Sequence, residues 1–311
     1  MPLNVDETPP QPVSWGRVAL MGLPLAALFI WAYWPTLVNL AAAWDREPDY
    51  SHGYLVPPLA LLFLWMRRDR FPGADLQYAW LGLALLALSV AARVFGAWVY
   101  VDAIDGWSML LWWGGVACLL LGVRGAFWAA PSVLFLGFMV PLPFSAERLL
   151  SLPLQRVATK LSVVSLQMLG QPALSEGNVI LLEDHRLEVA QACSGLRIFM
   201  GIIALAFAYV VTTRGTWWQK GLIVLAVGPI ALISNAARIV ITGLLYQFVS
   251  GRTAEKFSHD FAGYLMIVFA AALFGMFLWY LGKLVRVEES LDPRMGQRRN
   301  KPAPPVSPVA T

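Results

Sequence analysis

The sequence predicts an all-α polytopic membrane protein with about eight transmembrane helices, an extracytoplasmic amphipathic helix and a small β-hairpin before the sixth span. Three observations carry this. Of the 311 residues 58% are hydrophobic and only 14% charged, against about 25% charged in soluble domains. The apolar residues gather in runs close to the roughly 20 that cross a bilayer as helix. The basic residues fall between those runs, on what becomes one side of the membrane. A β-barrel would instead show alternating segments of about ten residues, and none occur.

The eight runs are 17–42, 50–66, 78–98, 107–123, 126–144, 193–213, 217–247 and 260–282. The first ends in Ala-Ala-Ala, as a signal peptide can. It is longer than the about 7–15-residue core of a secretory signal, with only Arg17 before it, so it reads as a retained anchor. The second is short, carries Pro57-Pro58, and is compatible with a re-entrant segment. The seventh is overlong. Its Gly228-Pro229 and Asn235-Ala-Ala-Arg238 stretches are where a break or kink is expected. Residues 1–16 and 286–311 are Pro-rich or basic tails around a membrane domain at 17–285.

Loop charge sets the orientation. Arg67, Arg68 and Arg70 share one loop, Arg124 lies in another, and Arg214 and Lys220 in a third. Lys283, Arg286, Arg294, Arg298, Arg299 and Lys301 follow the last span. With eight spans all four regions lie on one side, the cytoplasmic one, and so do both termini. Asp45, Glu47, Asp49, Asp102 and Asp105 fall opposite. The net charge of +4 sits at loop ends, so it reads as topology control. The partner it implies is membrane lipid, not nucleic acid.

Residues 145–192 form the long extracytoplasmic loop. In "AERLLSLPLQRVATKLSVVSLQMLG" apolar residues recur at helical spacing among Arg148, Arg156 and Lys160, which predicts an amphipathic helix lying at the membrane surface. "NVILLEDHRLEVA" holds two short β-prone runs around Glu183-Asp184-His185-Arg186 and predicts the hairpin.

Two cysteines make no disulfide framework. Cys118 lies inside an apolar run and reads as a buried small hydrophobe. No Cys/His cluster has metal-ligand spacing, so neither a metal nor another cofactor is expected. Cys193, by contrast, begins the sixth span at its outer end. The seventh span starts inside near Trp217. Arg238, 21 residues on, is returned to the outer interface by about 30 Å of helix rise. His259 precedes the eighth span on that same side. Three residues distant in sequence therefore share one depth.

Their chemistry is complementary. A thiol at a helix N-terminus is drawn toward thiolate by the dipole and by unpaired N–H groups. The N–H groups of Ser194, Gly195 and Leu196 can face an oxyanion. His259 suits general acid–base work, and Arg238 suits a carboxylate or a developing negative charge. Arg197, one turn below the thiol, either tunes it or snorkels to the interface. Ser194, Gly195, Arg197, Asn235 and Asp260 are the candidate oxyanion or supporting residues. Each main residue also has a plainer reading: an inert packed thiol, a snorkelling arginine, a solvated histidine. Two other functional classes fit a polytopic chain. One is a transporter or channel with Arg238 on an ion pathway, for which Arg93 is almost the only other intramembrane charge. The other is a non-enzymatic scaffold in envelope or exopolysaccharide assembly.

"EGNVILLEDHRLEVAQACSGLR", followed by "NAARIVITGLL" and "SHDFAGYLM", resembles the exosortase/archaeosortase family of membrane-embedded sorting enzymes. "YSHGYLVPPLALLFLW" and "PLPFSAERLLSLPLQRVATKLS" extend the resemblance over roughly residues 45 to 285. It implies that Cys193 is a nucleophile, with Arg238 and His259 as the other catalytic residues. A histidine rather than an arginine at the third position points to the bacterial exosortases and so to the bacterial inner membrane. The implied partners are exported proteins ending in a Pro-Glu-Pro motif, an apolar helix and a basic end, together with an unknown acceptor nucleophile. Some relatives carry a further C-terminal domain linked to exopolysaccharide export, where this chain has a short basic tail.

Overall fold

Apolar stretches fold as helices here because a bilayer leaves backbone N–H and C=O groups no partners but each other. The computed structural model describes residues 15–182, 185–189, 195–213, 215–248 and 262–284. Among them are α1 (Trp15–Arg46), α2 (Val56–Met66), α3 (Leu81–Val99), α4 (Asp102–Phe135), α5 (Phe144–Met168), α6 (Gly195–Thr212), α7 (Trp217–Phe248) and α8 (Ala262–Leu284). Three strands, β1 (Ala173–Glu176), β2 (Val179–Leu182) and β3 (His185–Glu188), lie between α5 and α6. The chain divides into two units, Met1–Phe274 and Gly275–Thr311. The described part of the second is helical, with the Lys283 ammonium 3.9 Å from the centre of the Trp279 ring.

Among the described residues five helical stretches are long and apolar enough to cross a membrane: Leu20–Arg46, Leu81–Val99, Asp102–Met139, Trp217–Tyr246 and Leu265–Leu284. Helix α6 is apolar but shorter, and α2 has only 11 residues. Large apolar side chains cover the outside of these helices, which suits lipid and not water. Aromatic residues mark helix ends: Trp217 opens α7 at 86% exposure, and Trp98 and Tyr100 close α3 at 75% and 93%. Such rings favour the headgroup level. The protein is a multi-pass membrane protein.

The expected fourth and fifth spans are joined with no loop between them. Helix α4 is broken at Gly122, whose φ of 76° and ψ of −177° are non-helical. Gly106 of the first arm lies against Val140, just beyond the second. An unbroken helix would hold those two about 50 Å apart, so the arms run antiparallel. Only glycine suits the turn. Its φ is left-handed, and a Cβ there would strike the Asp75 carbonyl.

The expected second span is a composite. Residues Pro48–Leu55 form 3-10 turns that lead into α2. His52 Nε2 stands 3.1 Å from the Phe138 carbonyl oxygen, the Phe63 and Phe135 rings meet at 4.8 Å, and Trp128 Nε1 donates to the Arg67 carbonyl at 2.8 Å. The 48–66 stretch thus runs antiparallel along the second arm of α4. Helix α7 runs as one helix through Gly228-Pro229 and Asn235–Arg238, where a break or kink was expected, so there is no break at either. The expected hairpin gains a strand: β1, β2 and β3 form an antiparallel meander, with Leu182 opposite both Ala173 and His185.

Two cores result. The larger joins α1, α2, α4, the 3-10 segment and Met200 of α6 around Tyr33, Tyr50, Met109 and Phe135. Within the α1–α3–α4 packing, the Tyr33 hydroxyl bonds the Ser89 and Ser108 hydroxyls at 2.7 and 2.8 Å. The second core joins α5, the sheet and the later half of α7. This second core positions the candidate site.

Candidate active site

Four polar residues recur along one face of α7: Asn235, Arg238, Thr242 and Tyr246, at helical spacings of three and four. Asn235, Arg238 and Thr242 are buried at 2%, 6% and 1% exposure. Arg238, Thr242 and Tyr246 each have an interaction partner. Asn235 differs: neither atom of its carboxamide has a hydrogen-bond partner among the described residues.

The adjoining face of α7 is held by α5 and the sheet. Ser162 of α5 donates to the Ala236 carbonyl at 3.3 Å. At Gly243 the missing side chain lets Leu182 of β2 and Leu166 of α5 approach to where a Cβ would sit 3.3–3.4 Å away. Ile239, next to Arg238, is fully buried with Val189 and Ile180 in this core. The backbone N–H of Val189 donates to the Asn178 carbonyl at 2.9 Å, fixing the end of β3 to the β1–β2 turn.

Helix α6 sets the level of the site. It ends at Thr212 and α7 begins at Trp217, so a short connection joins two helices that pack together. Gly195 lies 17 residues before Thr212, and Ser234 lies 17 after Trp217. Equal rise in antiparallel neighbours therefore brings the first turn of α6 level with Ser234 and Asn235, and Arg238 about one turn beyond.

Of the expected site residues, Arg238 and Asn235 are described throughout, and Gly195 and Arg197 stand in the first turn of α6 by backbone. Cys193, Ser194, His259 and Asp260 lie outside the described residues. The structure therefore joins Arg238 and Asn235 on one buried face and sets that face level with the N-terminus of α6. Thr242 and Tyr246 complete the stripe. They were readable as further polar positions in an apolar run, at the same spacing, but were not singled out. Among the described residues no group of three His, Cys, Asp or Glu side chains is placed to hold a metal ion.

The other intramembrane charge has a local explanation. Arg93 Nε lies 3.5 Å from Asp105 Oδ1, and its guanidinium stacks 4.5 Å from the Tyr33 ring centre. Thr36 donates to the second Asp105 oxygen at 2.5 Å. This network pins α1, α3 and α4 together, so Arg93 adds nothing to an ion-pathway reading. A separate acidic group lies where α5 begins. Burial, and then Glu47 and Asp49, push the Glu147 carboxyl above its ordinary range.

The transmembrane exosortase family model matches residues 44–278. The chain belongs to that family. The match takes in α7 with its polar stripe, the sheet, and the segment between β3 and α6. Exosortase membership points to a membrane sorting protease or transpeptidase. No curated protein and no solved structure matches the chain.

Proposed function

We propose that this exosortase is a cysteine peptidase or transpeptidase acting on the C-terminal sorting signals of exported proteins. Its substrates carry a Pro-Glu-Pro type motif, a transmembrane helix and a basic end. It works at the outer face of the bacterial inner membrane. The Cys193 thiolate attacks the scissile carbonyl and forms a thioester as the C–N bond breaks. The leaving amine takes its proton from His259, which had accepted the thiol proton. Arg238 holds negative charge at the reacting centre, and backbone N–H groups of Ser194 and Gly195 receive the oxyanion. An acceptor nucleophile then displaces the thiol.

The observation that carries this reading is the buried Asn235–Arg238–Thr242 stripe, level with a helix end at Gly195 that Cys193 precedes by two positions in sequence. An arginine buried this far is expensive in an apolar protein and marks function by default. In sequence Cys193 follows Val189 by four positions, and Val189 shares a core with Ile239, the neighbour of Arg238.

The topology that goes with this has eight crossing segments, counting the two arms of α4 and the composite 48–66 stretch. Both termini are cytoplasmic. A membrane-impermeant methanethiosulfonate applied to intact spheroplasts of a Cys118→Ala strain tests it. Labelling of Cys193 and loss of reporter cleavage are expected. Labelling only after permeabilisation would overturn the orientation.

A further inference from the structure

Asn235 presents an unusual account of hydrogen bonds. It is 2% exposed, and neither its carboxamide oxygen nor its nitrogen has a partner among the described residues. A buried donor or acceptor left unpaired costs about 1–3 kcal/mol, so a helix that needed only packing there would do better with leucine. The residue stands one turn from Arg238 on the same face, level with the first turn of α6. A carboxamide offers one acceptor and two donors in a plane. That matches the C=O and N–H edge of an extended peptide, and no single charged or purely accepting group would satisfy both of its ends.

We propose that Asn235 is a substrate-positioning residue that pairs, through both ends of its carboxamide, with the backbone N–H and C=O of one extended residue beside the scissile bond. The inference rests on the peptidase reading above and deepens it by naming what the site grips. Gripping backbone fixes the register of the motif against the nucleophile whatever side chain lies at that point. Specificity for the motif must then come from elsewhere in the site.

The test uses the full-length enzyme in nanodiscs and a synthetic peptide spanning the motif and its apolar helix. Each non-proline peptide group near the motif is N-methylated in turn. For the wild type one position should lower kcat/KM by roughly 10- to 100-fold, the worth of one or two hydrogen bonds. Asn235→Ala should lower kcat/KM by a similar factor on the unmodified peptide and be indifferent to methylation at that one position. Methylation profiles that coincide in the two enzymes would overturn the proposal, whether the carboxamide holds water or serves packing alone. If Asn235→Ala is not recovered folded, the near-isosteric Asn235→Leu carries the same comparison. Cys193→Ala in the same assay separates the two ideas. Continued cleavage by that variant removes the peptidase reading itself, whereas an inactive Cys193→Ala with coinciding profiles removes only the role of Asn235.

Discussion

Ser162 on α5 donates a hydrogen bond to the carbonyl oxygen of Ala236 on α7, at 3.3 Å, where both residues are buried. That bond sits one residue from Asn235 and two from Arg238, so the helix before the sheet sets the register of the helix that bears the site. Ser162→Ala should cost about 1 kcal/mol in thermal or denaturant stability. Ser162→Leu, which must push α5 away from α7, should cost about 1–3 kcal/mol and depress cleavage more than Ser162→Ala does. Equal activity in all three proteins would break the link between that packing and the site.

Gly122 makes a sharper case. A side chain there meets the Asp75 carbonyl, and the left-handed φ penalises any L-residue. Gly122→Ala should therefore give little or no monodisperse protein by fluorescence-detected size exclusion. Gly114→Ala, where no atom lies within 4 Å of the added Cβ, should behave as wild type.

The Arg93–Asp105 pair should behave as a structural bridge. Its side chains are 28% and 24% exposed, so Arg93→Leu should cost about 1–3 kcal/mol, less than a fully buried pair. The double variant Arg93→Leu/Asp105→Leu should recover part of that loss. Cleavage per folded molecule should be unchanged in either. A loss of cleavage without a loss of stability would move Arg93 into the functional machinery.

Glu147 gives a pH dependence whose sign is fixed. Its carboxyl is pushed above the ordinary range by burial and by Glu47 and Asp49. The folded state therefore binds the proton more tightly than the unfolded state, and this group favours folding more as pH falls through the raised value. Glu147→Gln should stabilise the protein at neutral pH by a few tenths of a kcal/mol, about the scale of a half-exposed charge. That advantage should vanish once pH falls below the ordinary carboxylate range. Thermal melts at several pH values check it.

The long apolar runs were readable because each helix must satisfy its own backbone within lipid, so run length reports directly on α1, α3, α7 and α8. What escaped were features set by contacts between distant residues. The reversal at Gly122 depends on Asp75, 47 positions earlier. The third strand depends on Ala173–Glu176 finding β2, in a run, "ALSE", with too few β-prone residues to read as a strand. Pro229 did not break α7. A helix packed against neighbours, and with lipid around it, tolerates the lost bond that would end a solvent-exposed helix. At the site, the level of Arg238, about one turn beyond the first turn of α6, was readable by counting rise from Trp217. That Asn235 has no hydrogen-bond partner among the described residues was not, because sequence cannot show which buried amides go unpaired.

The central claim is that Cys193 is the nucleophile that severs a sorting signal. The most direct measurement compares wild-type and Cys193→Ala enzyme, matched in membrane abundance, on a reporter ending in a Pro-Glu-Pro motif, apolar helix and basic end. The account predicts a processed reporter with the wild type and a full-length reporter with Cys193→Ala. Normal processing by Cys193→Ala would contradict it.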